Sequence, residues 1–181
     1  MIYKRTFLAF LLCLTFILSG CGYTTSSLLP PHLKTIYVER FINSIPIAEE
    51  SSDRSVYRTY HPLLEVDVTK EVIDKFIFDG NLKITQKAVA GLLLEGELID
   101  FSREVTKYGE GENIDQYRIV ITVKMKLVDQ TTKALMWQED SFSGSDYYYT
   151  SGVQSKSESA AINDAIDDLA RRVVQRVVEV W

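Results

Sequence analysis

Residues 117–129 read YRIVITVKMKLVD, and the alternation in this stretch decides the fold. Tyr117, Ile119, Ile121, Val123, Met125 and Leu127 fall on one parity, and Arg118, Thr122, Lys124 and Lys126 on the other. A strand points successive side chains to opposite sides, so this pattern predicts a long strand with one apolar face on a core and one polar face in water.

Upstream, residues 92–105, LLLEGELIDFSREV, alternate as Leu92, Leu94 and Leu98 and then as Ile99, Phe101 and Val105. The change of parity at Leu98 to Ile99 predicts a bulge, where one extra residue re-aims the side chains. The connection YGEGENID, 108–115, has the glycines and asparagine of a hairpin turn. Phosphate-cradling loops sit between a strand and a helix and offer backbone amides to an anion; this loop is acidic and joins two strands. Its acids Glu110, Glu112 and Asp115 do not have the spacing of a calcium loop. Downstream, a polar turn at Asp129 to Lys133 leads into a third strand, Ala134 to Gly144, and then Tyr147, Tyr148 and Tyr149 are expected in a loop running to Lys156.

Helical periodicity appears twice. Leu64, Val68, Val72 and Phe76, with Ile73 and Ile77, recur at spacings of three and four, and Gly80-Asn81 closes that helix. Ile162, Ala165, Ile166, Leu169, Ala170, Val173, Val177 and Val180 give the helix expected over Ser157 to Val180 a broad apolar face. KTIYVERF (34–41) and LKIT (82–85) read as strands on either side of the first helix, an order that predicts a parallel pair with a right-handed crossover. Residues 43–61 between them are polar and are expected to be disordered. The reading is one α/β domain over residues 34–181.

The amino-terminal segment has its own logic. Lys4 and Arg5 precede an apolar run from Phe7 to Leu18, too short for a membrane span of about 20 residues, so residues 1–20 read as a cleaved signal peptide. Leu18-Ser19-Gly20-Cys21 looks like the lipobox of bacterial lipoproteins, in which the cysteine sulfur takes a diacylglycerol, the chain is cut before it, and the new amino group takes a further acyl chain. Several chains together hold a protein durably on a bilayer. Residues 21–33, with Pro30-Pro31, then form the acylated cysteine and a tether. Gly22 stands where an inner-membrane retention signal has Asp, which points to the outer membrane.

Cys13 leaves with the signal, so the mature chain has no disulfide. Loss of Lys4 and Arg5 leaves 18 basic against 25 acidic residues, which argues against a nucleic-acid partner. Catalytic constellations are missing too: His32 and His61 stand alone, and there is no G-x-S-x-G and no glycine-rich loop before a helix. Asp164, Asp167 and Asp168, beside Arg171 and Arg172, read as a charge-paired helix surface. Neither an enzyme nor a cofactor or metal protein is expected.

LSGCGY (18–23), LPPHLKTIYVERFIN (29–43), FIFDGNLKIT (76–85), LLLEGELIDFSREV and YRIVITVKMKLVD in this order resemble the lipopolysaccharide-assembly lipoprotein family, LptE. That resemblance implies an α+β sandwich, a mixed four- to five-stranded sheet with two helices packed on one face. It implies an outer-membrane lipoprotein, facing the periplasm, that plugs the β-barrel LptD, assists lipopolysaccharide assembly and binds the glycolipid itself. By approximate alignment with basic residues of the family, Lys107 and Lys156 are the implied lipopolysaccharide contacts. Tyr147, Tyr148 and Tyr149 would add amphipathic area, and Lys124 and Lys126 extend the set along the polar strand face. The alternative is an outer-membrane lipoprotein adaptor that activates a periplasmic peptidoglycan synthase. Against it, a tether of a dozen residues spans at most about 40 Å.

Overall fold

The backbone hydrogen bonds of one long strand organise the sheet. The computed structural model describes residues 31–46, 56–58 and 61–179. The expected signal peptide, Cys21 with its lipobox, tether residues 22–30 and Val180 lie outside them. After a 3₁₀ turn at Pro31–Leu33 come β1 (Thr35–Val38), β2 (Ile42–Asn43), β3 (Val56–Arg58), α1 (Leu64–Asp79), β4 (Lys83–Ile84), β5 (Leu92–Tyr108), β6 (Ile114–Asp129), β7 (Leu135–Tyr149) and α2 (Glu158–Val178). The sheet order is β4-β1-β5-β6-β7, with β2 and β3 both added to β5. β1 runs parallel to β4 and β5, whereas β5, β6 and β7 form an antiparallel meander. This is the mixed sheet with two helices that the sequence implies.

The alternation in β6 survives intact. Ile119, Ile121, Val123, Met125 and Leu127 are buried, and Lys124 and Lys126 are exposed on the opposite face. The β5–β6 register skips Ile99 between Leu98 and Asp100, the predicted bulge, so that Leu98 and Phe101 both reach the core.

Both helices cover the apolar face. Leu64, Val68, Val72 and Phe76 of α1 are buried, and Gly80, at φ 74°, closes the helix by donating its N–H to the Phe76 carbonyl at 3.1 Å. In α2, the Ser157 Oγ accepts from the Ala160 N–H at 3.1 Å, capping the first turn. Its buried stripe runs from Ala161 to Val177 and includes Ile162, Ile166, Leu169 and Val173. Burying a side chain of that size contributes a gross ~1.5–3 kcal/mol, which makes this helix a principal part of the core. Close approach is possible because β7 carries glycine under it: a Cβ at Gly144 would fall 2.4 Å from the Leu169 backbone nitrogen.

Three expectations need correction. The strand expected over Lys34 to Phe41 stops at Val38, and the chain rejoins β5 at Ile42. Residues 43–61, expected to be disordered, supply β3, which pairs antiparallel with β5 from Val56↔Glu104 to Arg58↔Ser102; residues 47–55 and 59–60 lie outside the described residues. In both cases β5 is longer than β1, and its unpaired backbone takes up further segments irrespective of their polarity. The third strand does not end at Gly144. It continues to Tyr149, opposite Gln116, so Tyr147, Tyr148 and Tyr149 belong to a strand and not to a loop. The glycine that reads as a strand terminator meets a packing need instead.

The outer edge of β7 is capped from α2. The Ser145 N–H donates to an Asp168 carboxylate oxygen at 3.1 Å, and the Ser143 carbonyl accepts from Arg172. Arg172 also lies over the Phe142 ring at 5.2 Å, and Arg176 over Trp137 at 4.6 Å while pairing with Glu139 at 2.8 Å. These contacts occupy backbone groups that would otherwise invite a further strand.

Candidate functional site

The hairpin between β5 and β6 and the segment after β7 lie at the same end of the sheet, as an antiparallel third strand requires. The Thr150 N–H donates to the Asp115 carbonyl at 3.0 Å and its Oγ1 to the Ile114 carbonyl at 2.7 Å. Lys107, Tyr147, Tyr149 and Lys156 therefore share this end, whereas Lys124 and Lys126 sit further down β6. Arg118, opposite Tyr147, and Lys124 are six residues apart, about 20 Å along a strand.

The charges there are not equivalent. Lys107 is exposed, with its Nζ 3.7 Å from an Asp115 carboxylate oxygen. Lys156 is clamped between Asp146 of β7 and Asp164 of α2, the latter at 2.6 Å. Burial lowers the pKa of this ammonium, but hydrogen bonds and charge from the two carboxylates outweigh it and leave the pKa raised above the ordinary lysine value. Lys156 thus ties loop to strand to helix.

The three tyrosines separate by parity. Tyr147 is half exposed on the helix-free face, where the Arg118 guanidinium lies 5.6 Å from its ring centroid. Arg118 also donates to the Ser145 Oγ at 3.1 Å and sits 3.9 Å from Glu104. Tyr148 points the other way: it is buried, stacks on Tyr117 at 5.5 Å between centroids, and places its hydroxyl 3.4 Å from Glu158. Burial, aided by the Glu158 charge, raises the pKa of that hydroxyl. Arg103 donates to the same Glu158 at 2.7 Å and lies over Tyr117. Tyr149, partly buried, returns to the helix-free side.

The rest of the helix-free face is a ladder of cross-strand pairs. Lys126 meets Glu95 at 2.8 Å and Lys124 meets Asp140 at 3.4 Å. They line a shallow cleft of about 330 Å³ with Ile42, Glu97 and Gln138. Such a face is polar, flat and charge-matched, suited to contact with another surface and not to enclosing a small molecule.

Arg118 belongs to this site although nothing in the sequence singles it out. Its parity in β6 puts it on the polar face, but only the β6–β7 register brings it beneath Tyr147. The acids of α2 are paired as expected of a charged surface: Asp164 with Lys156, Asp167 with Lys75 and Asp168 with Arg171. Among the described residues no group of three His, Cys, Asp or Glu side chains can hold a metal ion, and no helix is long and apolar enough to cross a membrane.

Comparison with known proteins agrees with this architecture. A family model described as LptE, lipopolysaccharide-assembly, matches residues 33–177. A crystal structure of a protein from Xanthomonas campestris is similar, with 12% identity, 87% of this chain and 86% of that chain covered, and a TM-score of 0.56. The solution structure of lipoprotein B from Nitrosomonas europaea gives 12% identity, coverage of 89% and 92%, and a TM-score of 0.54. A hypothetical protein from Chlamydia trachomatis gives 13% identity, coverage of 80% and 95%, and a TM-score of 0.50. At these identities the likeness is one of fold. No curated protein sequence matches the chain.

Proposed function

Because the chain belongs to the LptE lipopolysaccharide-assembly family, we propose that it is acylated at Cys21, held at the periplasmic side of the outer membrane, and lodged in the lumen of the β-barrel LptD. There it assists assembly of the barrel and delivery of lipopolysaccharide to the outer leaflet. The observation that carries this reading is the family match from residue 33 to residue 177, which takes in almost all of the described residues. The helix-free sheet face supports it, since paired charges meet a partner wall without leaving a buried ion alone.

For the glycolipid itself, the proposed contacts are Lys107, Tyr147, Tyr149 and Lys156 at the hairpin end, with Lys124 and Lys126 along the bare face and Tyr148 supporting from beneath. Lys107 is the most available of these cations, and charge-assisted bonds from it to phosphate are roughly twice as strong as neutral ones. Arg118 stands ready behind Tyr147.

Purification of the tagged mature chain from an outer-membrane extract is the test. Recovery of LptD with it is expected, and a chain that comes down without the barrel rejects the plug. Lys107→Glu with Tyr147→Ala is expected to weaken lipopolysaccharide capture at unchanged thermal stability. Lys156→Glu is a poor probe, because it sets three carboxylates together and loosens the domain.

A further inference from the structure

We infer that the end of the domain nearest the tether is itself a membrane-docking surface, which seats the anchored chain on the bilayer before a barrel takes it up. This inference rests on the acylation of Cys21 put forward above. β1, β4, β5 and β7 all begin at this end and β6 stops there, through the registers Thr35↔Lys83, Ile36↔Leu92, Leu92↔Asp129 and Val128↔Leu135. The last turn of α1 reaches it as well, since α1 passes through Gly80 directly into β4.

Four large apolar side chains project from this end. Phe78 is 91% exposed, Val89 69%, Ile77 64% and Leu135 56%. None is needed by the core, and Ile77 and Phe78 stand outside the buried stripe of α1. The four are spread along the end of the sheet, from the close of α1 beside β4 to the start of β7 at the other edge, which suits a broad planar surface and not a groove. Lys34, Lys83 and Lys133 are exposed at the same end, and none has a carboxylate partner among the described residues. Of the acids nearby, Asp129 is buried in its turn, while Asp79, which accepts from the Asn81 amide, and Glu179 are exposed against the three lysines. At the opposite end the lysines are paired instead, Lys107 with Asp115 and Lys156 with Asp146 and Asp164.

Where the tether emerges decides the occupant. The Pro31–Leu33 turn packs on the start of β5: the Gly91 N–H donates to the Thr35 Oγ1 at 2.9 Å, the Gln130 N–H donates to the Gly91 carbonyl at 2.8 Å, and the His32 carbonyl lies against the Gly91 α-carbon. From Pro31 back to Cys21 the chain can reach at most ~35 Å, so an acylated Cys21 keeps this end close to the lipid. Apolar side chains rimmed by lysines suit an interface with anionic headgroups, into which they partition with the acyl anchor as a second signal. Tyr108 and Val153, bare at the opposite end, have no tether beside them.

The mature protein, with Cys13 removed and Cys21 blocked by its lipid, takes an environment-sensitive dye at Phe78→Cys or at Val153→Cys. In vesicles of phosphatidylethanolamine with a minority of phosphatidylglycerol, spin-labelled lipid should quench the dye at position 78 severalfold more than at 153. Ile77→Ser with Lys34→Glu and Lys83→Glu should abolish that difference. Equal quenching at the two positions overturns the docking surface, as does protection of position 78 that appears only when an LptD barrel is added. Intact mass on the same sample reads the anchor independently. An unacylated chain still quenched at 78 upholds the surface and rejects the anchor, and one that ignores vesicles rejects both.

Discussion

The two faces of β6 use the same backbone for opposite purposes. Toward the helices, Ile119, Ile121, Val123, Met125 and Leu127 are wholly removed from water against α1 and α2. On the other side, Lys124 and Lys126 meet acids of the neighbouring strands across an open surface. Stability belongs to the first face and hardly to the second, because burial is worth kilocalories per side chain whereas exposed ion pairs are worth little.

The sharpest way to break this contrast is to charge the covered face. Val173→Asp or Val177→Asp in α2 places a carboxylate among fully buried neighbours and should cost more than ~4 kcal/mol. Loss of the cooperative thermal transition by circular dichroism is the expected outcome; a mutant that melts like the parent would put α2 outside the core. Next comes Leu127→Ala, which leaves a cavity and should cost about 2–5 kcal/mol in urea titration.

Between the faces lies the capped edge. Asp168→Ala removes the acceptor of the Ser145 N–H and a partner of Arg171, with an expected loss of about 1–3 kcal/mol. Concentration-dependent association through β7, read by light scattering, would sharpen the picture of Asp168 as an edge cap.

Asp129 tests the turn that joins β6 to β7. Burial raises its pKa, but hydrogen bonds from Thr132 and Thr131 outweigh that and hold it below the ordinary value. A depressed carboxylate adds stability above its unfolded pKa and loses it as pH falls through the folded one. The stability gap between the wild type and Asp129→Ala should thus be present at neutral pH and shrink below about pH 4; a gap indifferent to pH would remove the charge from the account. The smallest effects are expected on the bare face, where Lys124→Ala and Lys126→Ala should each change stability by about 0–1 kcal/mol. A larger loss at either would erase the distinction between the faces.

Much of this contrast was legible in the residues. The parity of β6, the bulge at Ile99, the stripes of both helices and the glycine stop at Gly80 are local patterns, set by the geometry of strand and helix. The site was less legible. Tyr147, Tyr148 and Tyr149 look alike in a row, and only continuation of β7 to Tyr149 turns Tyr148 into the core and its neighbours out. Lys156 reads as a free loop cation, yet Asp146 and Asp164, distant in the chain from one another, neutralise it in place.

By itself, then, the sequence determined the two helices and the central strands and which side of each is dry, because side-chain periodicity follows from backbone geometry a few residues at a time. It also carried the run Leu18-Ser19-Gly20-Cys21, a contiguous pattern that looks like a lipobox. Tertiary structure alone decided which carboxylate each lysine meets, which stray segments β5 recruits, and which apolar side chains stand exposed at the end of the sheet where β1 begins. Those outcomes depend on register and close approach between residues far apart in the chain, and no local pattern encodes them.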